Sequence, residues 1–430
     1  MNAVTIARIL RARRALRSHE RWTRARLEAH QADTLRELRA FAYANSPFYR
    51  RFHHSRYDAP LDELPVLTKA QLMDEFDDIV TDRRLRLSDI RAYLDAANEA
   101  PYLGRYRIAS TSGTTGLRGV FVTSDAEWIA VLASYARAND WAGVTAGLTS
   151  RMRLAVVGSR NPAHQSAIVG ASLRSWWVPT LRIDALDPLD RIITALNEFQ
   201  PHTLAGYSSM LRVLSEAQLN GDLRIAPRAV MSSSEVLTDA AARAMERAWG
   251  HRPFNTYAAT ETAGLAAECL EGRRMHLYED LVIIEVVDEL DQPVPPGTYG
   301  TRLLATVLFN RTQPLIRYEI SDRVAASHGP SPQDLPLATL AGIEGREEEV
   351  LRRTRELRLR GDAGHRRRAE LRGALAGGDD ERGPAVVHLR RVAGGDRAAL
   401  AERRPERAQR LDRRLARRLV LRHDRPLAPL

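Results

Sequence analysis

Residues 110–122 read Ser-Thr-Ser-Gly-Thr-Thr-Gly-Leu-Arg-Gly-Val-Phe-Val. Hydroxyls and glycines packed this tightly ahead of a β-branched run predict a loop that can wrap phosphates. Gly113 and Gly116 permit positive φ and close backbone approach, so successive N–H groups can point into one concavity. Thr111, Ser112, Thr114 and Thr115 add hydroxyl donors around the same anion. A plain surface turn of Ser, Thr and Gly has the same composition and stays open as the alternative. Neither the Gly-Lys-Ser/Thr ending of a Walker loop nor the G-x-G-x-x-G dinucleotide pattern is present in this stretch.

Downstream of the loop the apolar pattern alternates between helical and strand periods. Residues 127–138, 188–199 and 240–249 predict helices, and residues 154–158, 203–206 and 229–231 predict short buried strands. The pattern then changes to strands at 281–287 and 301–307, separated by the turn Pro295-Pro-Gly297. Upstream, Leu27, Leu35, Leu38, Phe41 and Ala42 recur mostly at three- and four-residue spacing, an amphipathic helix stopped by Asn45-Ser46-Pro47. A second helix is expected to begin near Thr68. The fold class read from this order is α/β: parallel layers followed by a more β-rich part, with no internal repeat.

A chain of 430 residues is long enough for two or more domains. Its single cysteine, Cys269, excludes an intramolecular disulfide framework and suits a reducing compartment, so a cytoplasmic location is expected. No run of 18 apolar residues occurs, and the basic start MNAVTIARILRARRALRSHERW lacks an apolar stretch of signal-peptide length. Neither membrane spanning nor export is expected, and no membrane partner. The formal charge of +10 is local: residues 351–430 hold 23 arginines against 11 acidic residues, whereas the first 350 hold 41 basic and 43 acidic residues. Lys69 is the only lysine.

Residues 351–430 contain no Phe, Tyr, Trp, Ile, Met, Lys, Asn or Cys, a composition that does not readily build a core. One reading is a basic tail that binds nucleic acid or an anionic surface. The other is translation of a GC-rich gene in a shifted frame, which yields this surplus of Arg, Ala, Gly, Pro and Leu. The abrupt loss of eight residue types favours the second, and the sequence of the gene locus tests it.

Three further segments bear on function. Asn255-Thr-Tyr-Ala-Ala-Thr-Glu261 closes a strand with an aromatic ring, a hydroxyl and a carboxylate. Leu315-Ile-Arg-Tyr-Glu-Ile-Ser-Asp322 places an Asp just beyond an apolar strand, and Gly345-Arg346 stands before an acidic run. With the 110–122 loop, these resemble the adenylate-forming superfamily. More narrowly the chain resembles the phenylacetate–coenzyme A ligase branch, with its capsule-biosynthesis and deazaflavin-coenzyme adenylating relatives. The narrower resemblance rests on Ala44-Asn-Ser-Pro-Phe-Tyr-Arg50, Leu64-Pro-Val-Leu-Thr-Lys69, His276-Leu-Tyr-Glu-Asp280 and Pro314-Leu-Ile-Arg-Tyr318, in order and spacing over roughly residues 35 to 346.

The resemblance implies a large adenylation domain over residues 1–345, a hinge remnant at 346–350, and a C-terminal small domain that is missing or abnormal. It implies ATP and magnesium as cofactors, coenzyme A as co-substrate, and activation of an aryl or acyl carboxylic acid as its acyl adenylate. Ser112, Gly113, Thr114, Thr115 and Gly116 would hold the β- and γ-phosphates, with Thr111 at the loop's start. Thr260 and Glu261 would meet the α-phosphate and magnesium, a charge-neutralising role that attack on phosphorus requires. Asp322 would accept from both ribose hydroxyls and Arg346 would reach the same sugar. Tyr257 would stack on adenine, and Ser234 and Glu235, in a Ser-Ser-Glu run where the family has Gly-Ala-Glu, would border the base. The acid pocket is expected near Tyr207, Ser208 and 258–260. His164 reads as a structural or pocket-lining histidine.

Departures qualify that expectation. The family's catalytic C-terminal lysine has no counterpart after Gly345, and Lys69 lies in a segment the family uses structurally, so an impaired adenylation step is expected. Cys269 and His276 alone do not rebuild the zinc site of some relatives, because Ala338-Thr-Leu-Ala-Gly342 stands where paired cysteines would be. AMP transfer to a coenzyme-type acceptor, and a non-catalytic nucleotide- or nucleic-acid-binding protein, stay open as alternatives. The expected partners are a small carboxylic acid and coenzyme A, with nucleic acid reached only through the tail and a homodimer compatible with the sequence.

Overall fold

A computed structural model describes residues 3–98, 100–111, 117–146, 150–270, 273–328 and 335–346. Ser112–Gly116 and the 351–430 tail therefore lie outside the described residues.

The first hundred residues form helices. α1 (Ala3–His19) is followed by α2 (Arg24–Asn45), whose first turn is capped by Thr23 accepting from the Arg26 amide. Of the predicted stripe, Leu27, Leu38 and Ala42 are buried, and Leu35 and Phe41 are half-buried. It stops where Ser46 caps α3 (Pro47–Phe52), with Pro47 at a first-turn position whose amide would have had no intrahelical partner. Thr68 and Gln71 then close a capping box over α4 (Lys69–Asp74), where the second helix was expected. α5 (Phe76–Ile79) and α6 (Leu87–Asp95) complete the segment.

β1 (Tyr106–Ser110) and β2 (Val120–Ser124) make an antiparallel hairpin whose connection is the glycine-rich loop. Ser124 and Glu127 box the start of α7 (Asp125–Trp141). The Glu127 carboxylate also accepts from the amides of Arg311 and Thr312, both at 2.8 Å, so a buried acid is fully hydrogen-bonded. α1 lies on α7, with Ile9 packed among Trp128, Ile129, Val131 and Leu132.

Helix and strand then alternate through β3 (Leu154–Gly158), α8 (Gln165–Leu173), β4 (Thr180–Asp184), α9 (Leu189–Phe199), β5 (Thr203–Tyr207), α10 (Ser208–Asn220), β6 (Ala229–Ser233) and α11 (Asp239–Trp249). Strands follow: β7 (Phe254–Ala259), β8 (Ala263–Glu268), β9 (Met275–Leu277), β10 (Val282–Val287), β11 (Arg302–Val307), β12 (Tyr318–Ile320), β13 (Asp322–Ala326) and β14 (Thr339–Arg346). One nine-stranded sheet has the order β13-β14-β9-β8-β7-β6-β5-β3-β4, and a second sheet has β10-β11-β12.

The large sheet changes character at β7, which runs parallel to β6 and antiparallel to β8. On the parallel side Ala155, Val157, Leu204 and Val230 are completely buried, packing with Leu196 of α9, Leu211 of α10 and Met245 of α11. Parallel strands covered in this way read as unbroken apolar runs, which is why the sequence predicts them within a residue or two. The expected order, parallel α/β layers and then a β-rich part, is the observed one.

Candidate functional site

In an open α/β sheet the carboxyl ends of the parallel strands are where loops from neighbouring strands converge. Here those ends carry Tyr207 on β5, Ser233 on β6 and Ala259 on β7. A line of hydrogen bonds ties the glycine-rich loop to this edge. The Ser110 amide at the end of β1 donates to Ala163 O at 2.7 Å, in the turn after β3, and the Ser159 amide in that turn donates to Tyr207 Oη at 3.0 Å. Tyr207 pairs in register with Ser233, and Ser234 and Glu235 come next.

The neck of the loop is closed by Thr111 and Gly119. The Thr111 amide donates to Gly119 O at 3.0 Å, and the Gly119 amide donates to Thr111 Oγ1 at 2.9 Å. The Thr111 hydroxyl, expected to face an anion, thus accepts a bond in the neck. Arg118 Nε adds a bond to Ser110 Oγ at 2.9 Å. Lys69 also reaches this point: a Cβ built on Gly119 would stand 3.0 Å from Lys69 Cε. Lys69, expected only in a structural segment, packs here against the strand that leaves the loop.

A cleft of about 1160 Å³ opens at the β6–β7 edge and extends to the antiparallel strands. Ser234, Glu235, Tyr257, Thr260 and Asp322 all line it. Tyr257 is 8 % exposed, and its hydroxyl donates to Asp322 Oδ2 at 2.7 Å. The tyrosine is therefore both core aromatic and cleft wall. Asp322 stands just beyond β12, as expected, and also opens β13: β12 ends in the three-stranded sheet, and after Ser321 the chain enters the large one. Arg346 is its register partner on β14.

Ser234 holds φ +65°, and this kink turns Glu235 back onto α10. Glu235 accepts from the Ser209 amide at 2.7 Å and from Ser209 Oγ at 3.0 Å, an acid at the positive end of a helix. Its carboxylate is thereby held by the start of α10 while the residue still lines the cleft. Beyond β7, the Thr262 amide bonds Ala259 O at 3.2 Å and Ala263 takes φ +64°, so Thr260 and half-buried Glu261 occupy a tight turn at the strand end.

Two charged residues that the sequence did not single out stand at the far side of the cleft. Glu268 accepts from the Asn255 amide at 3.1 Å and lies 3.7 Å from Arg273, whose guanidinium sits 3.9 Å from the Phe254 ring centroid. Burial pushes the Glu268 carboxyl above its ordinary range and the Arg273 guanidinium below its own. His164 precedes α8 half-buried, its basicity lowered by burial and by Arg118.

A family profile described as AMP-binding enzyme matches residues 106–305, from β1 to β11. Protein CapK of Staphylococcus aureus is 25 % identical over 282 residues, covering 62 % of this chain and 54 % of CapK. The chain thus spans about half the length of that relative. A phenylacetate–coenzyme A ligase of Thermus thermophilus is 24 % identical over 342 residues, covering 76 % of this chain and 72 % of the ligase. Among solved structures, an open conformation of 2-hydroxyisobutyryl-CoA ligase in complex with 2-HIB-AMP and CoA superposes with a TM-score of 0.61 at 20 % identity, over 76 % of this chain and 71 % of that one. That likeness is one of fold. Over residues 106–305 the chain thus matches the AMP-binding enzyme profile, and it is similar in sequence to CapK and to a phenylacetate–coenzyme A ligase.

Proposed function

We propose that residues 1–345 bind ATP and activate a carboxylic acid. The carboxylate oxygen attacks the α-phosphorus, the bond to pyrophosphate breaks, and the acyl adenylate then passes its acyl group to the thiol of coenzyme A with release of AMP. The observation that supports this most is the convergence of Ser234, of Tyr257 and Thr260, and of Asp322, from three distant segments, on one cleft at the strand ends. In this reading Asp322, oriented by the Tyr257 hydroxyl, takes the ribose hydroxyls, and Arg346 opposite it reaches the same sugar. Tyr257 walls the adenine, Ser234 borders it, and Thr260 meets the α-phosphate. Glu261 would hold magnesium, since one carboxylate is enough when phosphate oxygens and waters complete the shell. Ser112–Gly116 would take the β- and γ-phosphates from the neck fixed by Thr111, with Lys69 as a cation at the loop's exit. The cytoplasm, where ATP and coenzyme A are both present, is the compartment we assign.

Pyrophosphate exchange into ATP, run with aryl and fatty acids in turn, tests the reading. Acid-dependent exchange, slowed by the lack of a lysine after Gly345, is the expected result. Silence with every acid, while AMP still binds, would move the chain to the non-catalytic alternative, and failure to bind AMP at all would remove the nucleotide assignment.

A further inference from the structure

At the amino ends of β3 and β4, the edge of the sheet opposite the cleft, exposed arginines and exposed apolar side chains coincide. α1 leaves Val4 68 % and Leu10 39 % exposed, and the loop before β4 leaves Trp176 64 % exposed. Arg8, Arg11 and Arg14 stand exposed on the same helix. Arg151 lies 4.6 Å from the Trp176 ring centroid, and Arg174 is exposed beside it. Between α1 and this loop opens an apolar pocket of about 100 Å³ lined by Ile6, Ile9, Leu10, Leu154, Trp177 and Val178. Asp140, at its rim, is clamped by Arg13 and by Arg17, so the carboxylate there is already neutralised.

We infer that this face docks on an anionic phospholipid surface, with α1 lying along the interface and Trp176 at headgroup depth. A basic helix with an exposed apolar edge binds in this way, and an indole with a cation beside it suits the headgroup region. Among the described residues no helix is long and apolar enough to cross a membrane, so the contact is peripheral. Charge alone would equally fit a nucleic acid. Val4, Leu10, Trp176 and the apolar pocket favour lipid, because a phosphate backbone gains nothing from them. In this orientation the cleft at the strand ends faces away from the membrane.

The full chain is mixed with vesicles carrying acyl-chain-brominated lipid, either phosphatidylcholine alone or phosphatidylcholine with phosphatidylglycerol, and tryptophan quenching is read. Residues 351–430 contain no tryptophan, so vesicle binding by that arginine-rich stretch alone produces no signal. Quenching is expected only on the acidic vesicles, with most of it lost in Trp176→Phe. The triple variant Arg8→Ser, Arg11→Ser, Arg14→Ser should weaken it by roughly 100-fold, each interfacial cation being worth about fivefold. All four substituted side chains are exposed, and an unchanged circular dichroism spectrum confirms the fold. Vesicle binding without Trp176 quenching, quenching indifferent to the triple substitution, or binding of duplex DNA in place of vesicles each overturns the inference.

Discussion

Tyr257 and Asp322 are 65 positions apart and meet through one bond of 2.7 Å. A hydrogen bond to a carboxylate contributes about 1.5–3 kcal/mol, and here it also fixes which way the carboxylate faces. Tyr257→Phe keeps the ring as a wall but releases Asp322. Its AMP affinity, measured calorimetrically, should fall about tenfold, equivalent to about 1.4 kcal/mol. An unchanged affinity would take Asp322 out of the proposed sugar site. The sequence supplied both residues through motif order, yet it did not contain their bond, because β7 and β13 are brought into one sheet only by the strands between them. The packing of Lys69 on Gly119 was not legible for a similar reason. Its place against Gly119 depends on the preceding segment docking on β12, where Leu67 bridges Tyr318.

The helical N-terminal elements are fastened to the body by the 276–280 motif. Glu279 accepts from Arg24 of α2 at 2.8 Å, and buried Asp280 takes Arg137 of α7 at 2.8 and 2.6 Å and His19 of α1 at 2.7 Å. Burial opposes ionisation of Asp280, but the Arg137 guanidinium outweighs it and holds the carboxyl well below the usual range. Asp280→Asn leaves Arg137 buried without its counterion, a loss of about 3–5 kcal/mol that urea denaturation should register. A loss under 1 kcal/mol would mean that the tie is dispensable. Element type was legible wherever one period dominated: the helical pattern over 127–138 announces α7, and the short apolar runs at 154–158 and 203–206 announce β3 and β5. α1 was not, since only Ile9 and Leu16 are buried among its many arginines. β13 and β14 also escaped, their pairing being broken by register shifts at Arg323/Val324 and Ala325/Ala326.

Acid stability is a property of the whole molecule. His53 is 4 % exposed, and burial, with the nearby Arg39 charge, depresses its pKa to about 4. An unfolded histidine titrates near 6.5, so the unfolded chain binds the proton first as pH falls. The contribution of neutral His53 is therefore complete above about pH 6.5 and is lost between there and pH 4, by about 3 kcal/mol. Wild type should show that decline in stability, and His53→Phe, which keeps the ring packing against Tyr49 and Phe52, should lack it. Equal slopes in the two proteins would assign the decline to other groups.

The parallel half of the large sheet joins the antiparallel half through a short suture. β5 and β6 pair at five positions from Thr203 to Tyr207, whereas β6 meets β7 only at Met231 with Phe254 and Ser232 with Asn255. The Thr256 hydroxyl, donating to Ser232 O at 3.0 Å, acts as one extra stitch. Whatever seats itself between Ser234 on one margin and Thr260 on the other bridges that suture. Occupancy would then brace two half-sheets against shear, and the emptied protein would part first along this line.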